Sequence, residues 1–483
     1  MLSSYLGVET FLSGVANYLK KHAYGNATTE DLWAALGEES GSDVAAFMVC
    51  MPLLPRLVER RILTGLVQRD WIKIIGFPVV TVTEEPGQIT IKQNRFLVTG
   101  DVKPEEDTTT WWVPVLLNKE AVTATADKVA ALTTRETTIK GLDTAHYKLN
   151  DGVNGFYRVN YPVERLAKIG ENRGKLSAAD RVAVIADAAA MAFSGLGSTA
   201  GLLSFLDALK DEERYLVWAG ITEQLGKLRS LFAENSPEIK DRLKKFTLAL
   251  VSPTVERVGW DFGPDEDFLT GRLRALILGV AGTVGHEGVV EEAVRRFKAY
   301  NAGDKAAIHS SLRLPIFRIG VAEGGQEAFD AVTSEYLSTT TIDGREICLA
   351  SLGRAREPEV VSQVLDFMLS DKVKVQDKHT PAIALSNNSD ARYALWSFIR
   401  ENWEAIFKQM SGNMVVLDRF VKNSLNKFAS HQTLDEMEKF FADKDTAGYD
   451  KGLAAIKDTV SGNAAYVERD GENALAWLKE HGY

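Results

Sequence analysis

Metal-binding and nucleophilic chemistry in this 483-residue sequence rests mainly on seven histidines and two cysteines. The histidines are His22, His146, His286, His309, His379, His431 and His481, and the closest two, His286 and His309, lie 23 residues apart. Two imidazoles share one helical face only when three or four residues separate them, so no His-x-x-x-His pair exists to grip a metal. His286-Glu287 opens like a metallopeptidase helix motif, but position 290 is Val. Cys50 and Cys348 have no neighbouring histidine to generate a thiolate, and both read as buried or incidental thiols. Gly195-Leu-Gly197-Ser-Thr-Ala200 matches a relaxed dinucleotide fingerprint. It follows a helical pattern where the mechanism needs a strand, so it reads as a helix C-cap and connector. There is no Gly-x-x-x-x-Gly-Lys-Ser/Thr loop and no Gly-x-Ser-x-Gly elbow. The acidic runs Asp265-Glu266-Asp267 and Asp211-Glu212-Glu213 read as helix N-termini or solvated faces rather than cation sites. Trp111-Trp112 is expected to place one ring in the core and the other at the surface, as strand alternation requires. The predicted set of catalytic, cofactor-binding and metal-ligating residues is therefore empty.

The elements fall into three stretches. Residues 1–48 read as helical, with one helix from about Val8 to Lys21 carrying Phe11, Val15 and Leu19 at four-residue spacing. Tyr24 to Ala27 break it, and Thr28 with Asp31 three residues on signals an N-cap before Leu32, Trp33 and Leu36. From Phe77 the period becomes two: Ile89, Ile91, Gln93 and Arg95 alternate with Thr90, Lys92, Asn94 and Phe96. With Trp111–Val115, Thr137–Lys140 and Phe156–Tyr161 as further strands, this region predicts a small antiparallel β-sandwich over residues 78–165. After Asn172 helix follows helix, opened by Ser177 to Asp180 and closed first at Gly195, with Pro253, Pro264, Pro315, Pro358 and Pro381 as punctuation. Val289-Val290 with Ala293-Val294 is echoed 71 residues later by Val360-Val361 with Val364-Leu365. That echo suggests an all-α, solenoid-like (HEAT/armadillo-like) domain over residues 172–483.

Composition narrows the function classes. The chain is 45% hydrophobic and carries 56 Lys plus Arg against 66 Asp plus Glu, for a formal charge of −10. A nucleic-acid partner is disfavoured by that balance. No apolar run approaches the ~18–20 residues of a membrane helix, so no membrane partner is expected. Two cysteines cannot form a disulfide framework, and no basic and apolar leader follows Met1. A cytoplasmic location is the expectation.

In order along the chain, the motifs resemble the zinc aminopeptidases of the puromycin-sensitive type, the gluzincin aminopeptidases. Leu19 through Trp33 resembles the last part of their thermolysin-like domain, and Gly76-Phe-Pro-Val79 the exit from it. Gln93-x-Arg95-Phe96, Trp111-Trp112-Val-Pro114 and Asn154-Gly-Phe-Tyr-Arg158-Val-Asn-Tyr161 resemble their β-sandwich. Leu176-Ser-Ala-Ala-Asp-Arg181, Gly259-Trp260, Leu273-Arg274, Val375-Gln376-Asp377 and Glu401-Asn-Trp403 resemble their C-terminal helical domain. The resemblance implies a multidomain order: a remnant of the catalytic domain over 1–77, the sandwich, then an endoplasmic-reticulum-aminopeptidase-like helical domain.

It also implies removal of N-terminal residues from peptide substrates, with one zinc in the full-length family member. Family members hold that zinc through His-Glu-x-x-His and a downstream Glu, bind the substrate amine near Gly-x-Met-Glu-Asn, and use a Tyr for the tetrahedral intermediate. None of these motifs occurs here, so no catalytic residue carries over and no cofactor is expected in this chain. The gene-model expectation is a late start at an internal Met. Residues 49–68 interrupt the family pattern; excising them would join Phe47-Met48 to Arg69-Asp70-Trp71-Ile72. Val codons begin GT, one Gln codon ends in AG, and Leu63-Thr64 can encode a branch-point-like sequence, so an unspliced intron read in frame is expected there, the alternative being a genuine surface insertion, since added loop length costs little. Without a catalytic domain to pack on, Phe11, Leu19 and Trp33 are expected to be exposed. The expected chain is inactive alone; the competing reading is a non-catalytic helical-repeat protein binding peptides or a partner.

Overall fold

The computed structural model describes residues 1–48, 71, 74–127 and 129–483; the anomalous segment 49–68, Cys50 included, lies outside the described residues. The chain divides into two compact units, Met1–Ala208 and Leu209–Tyr483.

The first unit opens with helices Leu2–Leu6, Val8–Lys21, Thr29–Ser40 and Val44–Met48. Thr28 caps the third by a reciprocal box: its hydroxyl accepts from the Asp31 N–H, and the Asp31 carboxylate accepts from the Thr28 N–H at 2.8 Å. Trp33 is only 3% exposed, which corrects the expectation above. It packs with Leu36, Val44 and Met48 under Phe11, Val15 and Trp71. The short helices bury one another because Gly14 admits a close crossing: a Cβ there would lie 2.9 Å from Leu36 Cδ2. Leu19 alone of the three named residues stays exposed, at 60%.

Strands follow as β1 (Pro78–Glu85), β2 (Gln88–Arg95), β3 (Val113–Pro114), β4 (Ala131–Leu132), β5 (Glu136–Lys140) and β6 (Arg158–Asn160). They form a four-stranded sheet in the order β5-β2-β1-β6 and a separate β3-β4 pair. Ile89, Ile91 and Gln93 face inward as their period predicts. The all-antiparallel expectation fails at one edge, where β6 runs parallel to β1 with Val80 opposite Val159. A parallel neighbour requires a long return connection, and the segment between β5 and β6 provides it.

Trp111 and Trp112 are both buried, against the expected in–out alternation. They precede β3 instead of lying in it. Gln93 holds Trp111 in a strand-like clasp, donating to its carbonyl and accepting from its N–H, each at 2.8 Å. The Trp112 ring meets Tyr5 edge-on at 4.8 Å.

Helices Val163–Glu171, Ala178–Ser194 and Thr199–Asp207 complete this unit. The first of them escaped the strand reading, because its inward face includes an arginine, Arg165, beside Leu166 and Ile169. Gly195 ends the second helix at φ 76° and Ser198 caps the third, so the glycine-rich segment is a C-cap and connector as expected.

The second unit is helical, from Tyr215–Phe232 and Pro237–Val258 to Asp450–Glu480. The echoing valines occupy equivalent places: Val289 and Val360 are the third residues of Glu287–Asn301 and Pro358–Leu369, and both are buried. Pro358 begins its helix, where its missing N–H is harmless, but Pro253 lies inside Pro237–Val258 and punctuates nothing. The array also departs from nearest-neighbour stacking. Its last helix returns to the first two, with Tyr466 5.7 Å from Phe232 and Trp477 5.5 Å from Phe246. Among the described residues no single helix is long and apolar enough to cross a membrane.

Candidate functional site

The histidines are dispersed into local structural roles. His286 occupies the N-cap position of Glu287–Asn301, with no hydrogen bond from its side chain to the cap. His309 stacks on Phe262 at 3.7 Å, and His481 on Trp477 at 3.9 Å. Among the described residues no three His, Cys, Asp or Glu side chains converge as a metal site, so this donor set does not fit a catalytic zinc. Cys348 is buried, and burial pushes its thiol up to about 12, far from thiolate chemistry. In the acidic runs, Asp267 caps a helix through the Leu269 N–H, while Glu266 forms a two-pronged pair with Arg274.

The first unit contains a cleft of about 370 Å³ between the 116–121 and 145–152 loops, helix Val163–Glu171 and the start of Ala178–Ser194. Its wall carries two buried cations. Lys148, 3% exposed, donates to Asp180 Oδ1 at 2.8 Å and to the carbonyls of Leu149 and Asn150 at 3.0 and 2.9 Å. Asp180 also accepts from the Gly152 N–H at 2.9 Å and the Ser177 hydroxyl at 2.6 Å. Burial alone would raise the Asp180 pKa, but the hydrogen bonds from Lys148 and Ser177 outweigh it and hold the carboxyl below its ordinary range. Asp151 moves the opposite way, raised by burial and by the Asp180 charge beside it.

Arg165, 1% exposed, forks onto Glu84 at 2.7 and 2.8 Å, with its guanidinium 4.1 Å from the Tyr147 ring centre. Tyr147 and Lys168 complete the set around Glu84 at 3.0 and 3.2 Å. Burial pushes Glu84 up, and Arg165 more than cancels it. An ammonium with three acceptors is no nucleophile, and a carboxylate with several cationic donors is a poor base. The cleft can bind polar groups at its Lys119 and Lys175 rim, but its wall is structural.

Residues that carry the motifs have coupling roles in the same unit. Tyr157 donates to the Val115 carbonyl at 2.8 Å, and the Tyr161 hydroxyl accepts from the Leu149 N–H at 2.8 Å. Arg158 pairs with Asp187 at 3.0 Å, and the Leu176–Arg181 motif supplies Ser177 and Asp180.

Residues 1–50 match the Peptidase family M1 domain, and residues 146–462, well over half of the chain, match the ERAP1-like C-terminal domain. The chain belongs to the M1 aminopeptidase family. Among its relatives in this family, Aminopeptidase 2, mitochondrial, of Saccharomyces cerevisiae is 34% identical over 100% of this chain and 48% of its own length. Alanine/arginine aminopeptidase of the same yeast is 33% identical over 100% of the chain and 54% of its own length, and Aminopeptidase M1-D of Oryza sativa is 28% identical over 97% and 52%. The chain thus spans about half the length of the M1 relatives it matches, and the half it matches is C-terminal. Sequence reasoning found the family but missed Glu84, Lys148 and Arg165, because an isolated charged residue, whether in a strand, a loop or a helix, carries no sign of its burial.

Proposed function

We propose that this chain is the C-terminal part of a zinc-dependent aminopeptidase that removes N-terminal residues from peptides. In this reading the helical unit encloses the substrate, and the zinc ligands come from sequence beyond these 483 residues. The observation that carries the reading is the succession, in one chain, of an M1-domain match over residues 1–50 and the ERAP1-like C-terminal match over 146–462. In such an enzyme zinc polarises the scissile carbonyl and activates a water. The donor set here does not fit that metal, so no catalytic step is assigned to these residues. On this reading the isolated chain is inactive, residues 49–68 are absent from the mature enzyme, and the enzyme is cytoplasmic.

The decisive experiment is the full-length transcript, read from its 5′ end through codon 75. An upstream in-frame His-Glu-x-x-His segment, with codons 49–68 spliced out, is the expected result. A transcript that starts at Met1 and retains those codons would sink the catalytic reading and leave a non-catalytic peptide-binding relative. Purified chain that held stoichiometric zinc and released an aminoacyl amide in a chelator-sensitive way would overturn the inactivity.

A further inference from the structure

The cleft of the first unit carries a second set of groups besides its structural wall. Lys148 and Arg165 are engaged by Asp180 and Glu84, and Lys168 shares Glu84 at 3.2 Å. Lys119, Lys175 and Asp151 line the same cleft, and among the described residues their side chains make no hydrogen bond and no ion pair. His146 lines it too, and its Nδ1 is buried with no hydrogen-bond partner. Exposed lysines are ordinary, because water solvates them. A buried imidazole nitrogen without a partner is not, and a ligand in the cleft would supply one.

These groups come from separate turns that the wall fixes in place. Lys119 belongs to the turn Lys119–Ala121, Asp151 to Asp151–Val153 and Lys175 to Arg173–Lys175. Asn118 ties the first turn to the 145–152 loop. Its side-chain amide donates to the His146 carbonyl at 2.9 Å and accepts from the Lys148 N–H at 2.7 Å. Around Asp151 the backbone is left-handed at Asn150, Gly152 and Val153, with φ of 55°, 70° and 59°, a strained state for the β-branched Val153. Three hydrogen bonds pin that turn: the Gly152 N–H on Asp180, the Asp151 N–H on the Leu116 carbonyl at 2.8 Å, and the Gly155 N–H on Asn150 Oδ1 at 2.6 Å. The buried Lys148–Asp180 pair therefore positions Asp151 at the rim.

Charge and size narrow the occupant. Beyond the groups around Glu84 and Asp180, the cleft sets Lys119 and Lys175 against Glu120 and Asp151. A simple anion would meet two carboxylates and a simple cation two lysines, whereas a compact zwitterion finds an opposite charge for each end. Ile169 and Leu176 give the cleft an apolar side. Its volume of about 370 Å³ lies near the lower end of the ~300–1,000 Å³ typical of small-molecule pockets. That space suits a single amino acid better than an extended peptide.

We propose that this cleft binds a free α-amino acid with an apolar side chain. The carboxylate meets Lys119 and Lys175, the ammonium meets Asp151, the polar end gives His146 Nδ1 a partner, and the side chain lies against Ile169 and Leu176. Burial and the Asp180 charge both disfavour an ionised Asp151, and an ammonium beside it relieves that. Free amino acids are also what the proposed aminopeptidase reaction releases, so on that reading the ligand is a product of the enzyme; the binding itself stands without it.

The test is calorimetric titration of the 483-residue chain with L-leucine, N-acetyl-L-leucine, L-leucinamide and inorganic phosphate. N-acetylation removes the positive charge and amidation the negative one, with the side chain unchanged. Leucine is expected to bind about tenfold or more tightly than either derivative, the scale of one charge-assisted hydrogen bond. Asp151→Asn should erase the advantage of leucine over N-acetylleucine, and the double variant Lys119→Met/Lys175→Met its advantage over leucinamide. None of these side chains has a partner in the fold, so the melting temperatures should hold. Lys140→Met, exposed on β5 outside the cleft, should change nothing.

No binding of leucine, or equal affinity for the three leucine compounds, would overturn the proposal. So would leucine binding that survives the substitutions at 119, 151 and 175. Binding of inorganic phosphate without leucine would overturn it as well and make the cleft an anion site. A transcript without an upstream zinc motif would end the catalytic reading and leave these titrations untouched, so the two failures are distinguishable.

Discussion

The two units treat interior cations differently. Around its cleft the first unit gives each a complete set of acceptors: Lys148 has Asp180 and two carbonyls, and Arg165 has Glu84, an aromatic face and the carbonyls of Thr144 and Ala145. The second unit does the same for Arg392, but among the described residues the half-buried Arg229 and Arg354 have no hydrogen-bonded acceptor for their guanidinia. A charge that is fully engaged holds elements together and is silent toward ligands. One left unengaged adds nothing to the fold and keeps its hydrogen-bonding capacity for something outside it. The contrast separates charges that brace the fold from charges that do not.

The largest effects should come from breaking a complete set. Asp180→Ala strands the Lys148 ammonium in the interior and should cost ~3–5 kcal/mol in chemical denaturation. Adding Lys148→Met should recover much of that loss, because the uncompensated charge is gone. Arg392→Ala in the second unit should fall in the same range, whereas Arg354→Gln should cost nothing. A loss below about 1 kcal/mol for Asp180→Ala, or a comparable loss for Arg354→Gln, would erase the distinction between the units.

A smaller effect depends on pH. Burial raises Asp187 to about 6 despite the Val159 N–H and Arg158 at its oxygens. A carboxyl whose folded pKa lies above its unfolded value of 3.8 binds its proton more tightly in the native state. Its favourable contribution is complete below pH 3.8 and is lost as pH rises through 6, about 3 kcal/mol over the window. The stability of the wild-type chain relative to Asp187→Asn should therefore decline between pH 4 and 7. A difference that stays flat with pH would place Asp187 among the fully compensated carboxylates.

The smallest effects concern backbone. Gly195→Ala in the first unit places a side chain at φ 76° and should cost about 1–2 kcal/mol. Gly226→Ala, inside Tyr215–Phe232 with open space at its Cβ, should stabilise by about 0.5–1 kcal/mol. Melting temperatures of the two variants should move in opposite directions.

What the sequence revealed depended on how locally each feature is determined. The Thr28 and Ser177 caps, the Gly195 stop and the β2 alternation arise within a few neighbouring residues, and each was legible. The parallel placement of β6, the burial of Trp112 and the helix at Val163–Glu171 depend on contacts distant in the chain, so local pattern misread them. The burial of Trp33 was missed for another reason: the motif resemblance suggested a missing packing partner, whereas the short helices and Gly14 supply their own.

The return of Asp450–Glu480 onto the first helices of its unit also fixes a schedule. Phe246 emerges from the ribosome about 230 residues before Trp477, its aromatic neighbour. At ~5–20 residues per second that face waits on the order of 10–50 s for its cover. During synthesis the helical unit is thus a half-finished surface for tens of seconds, a natural client for chaperones. Premature termination before Trp477 would make that temporary exposure permanent.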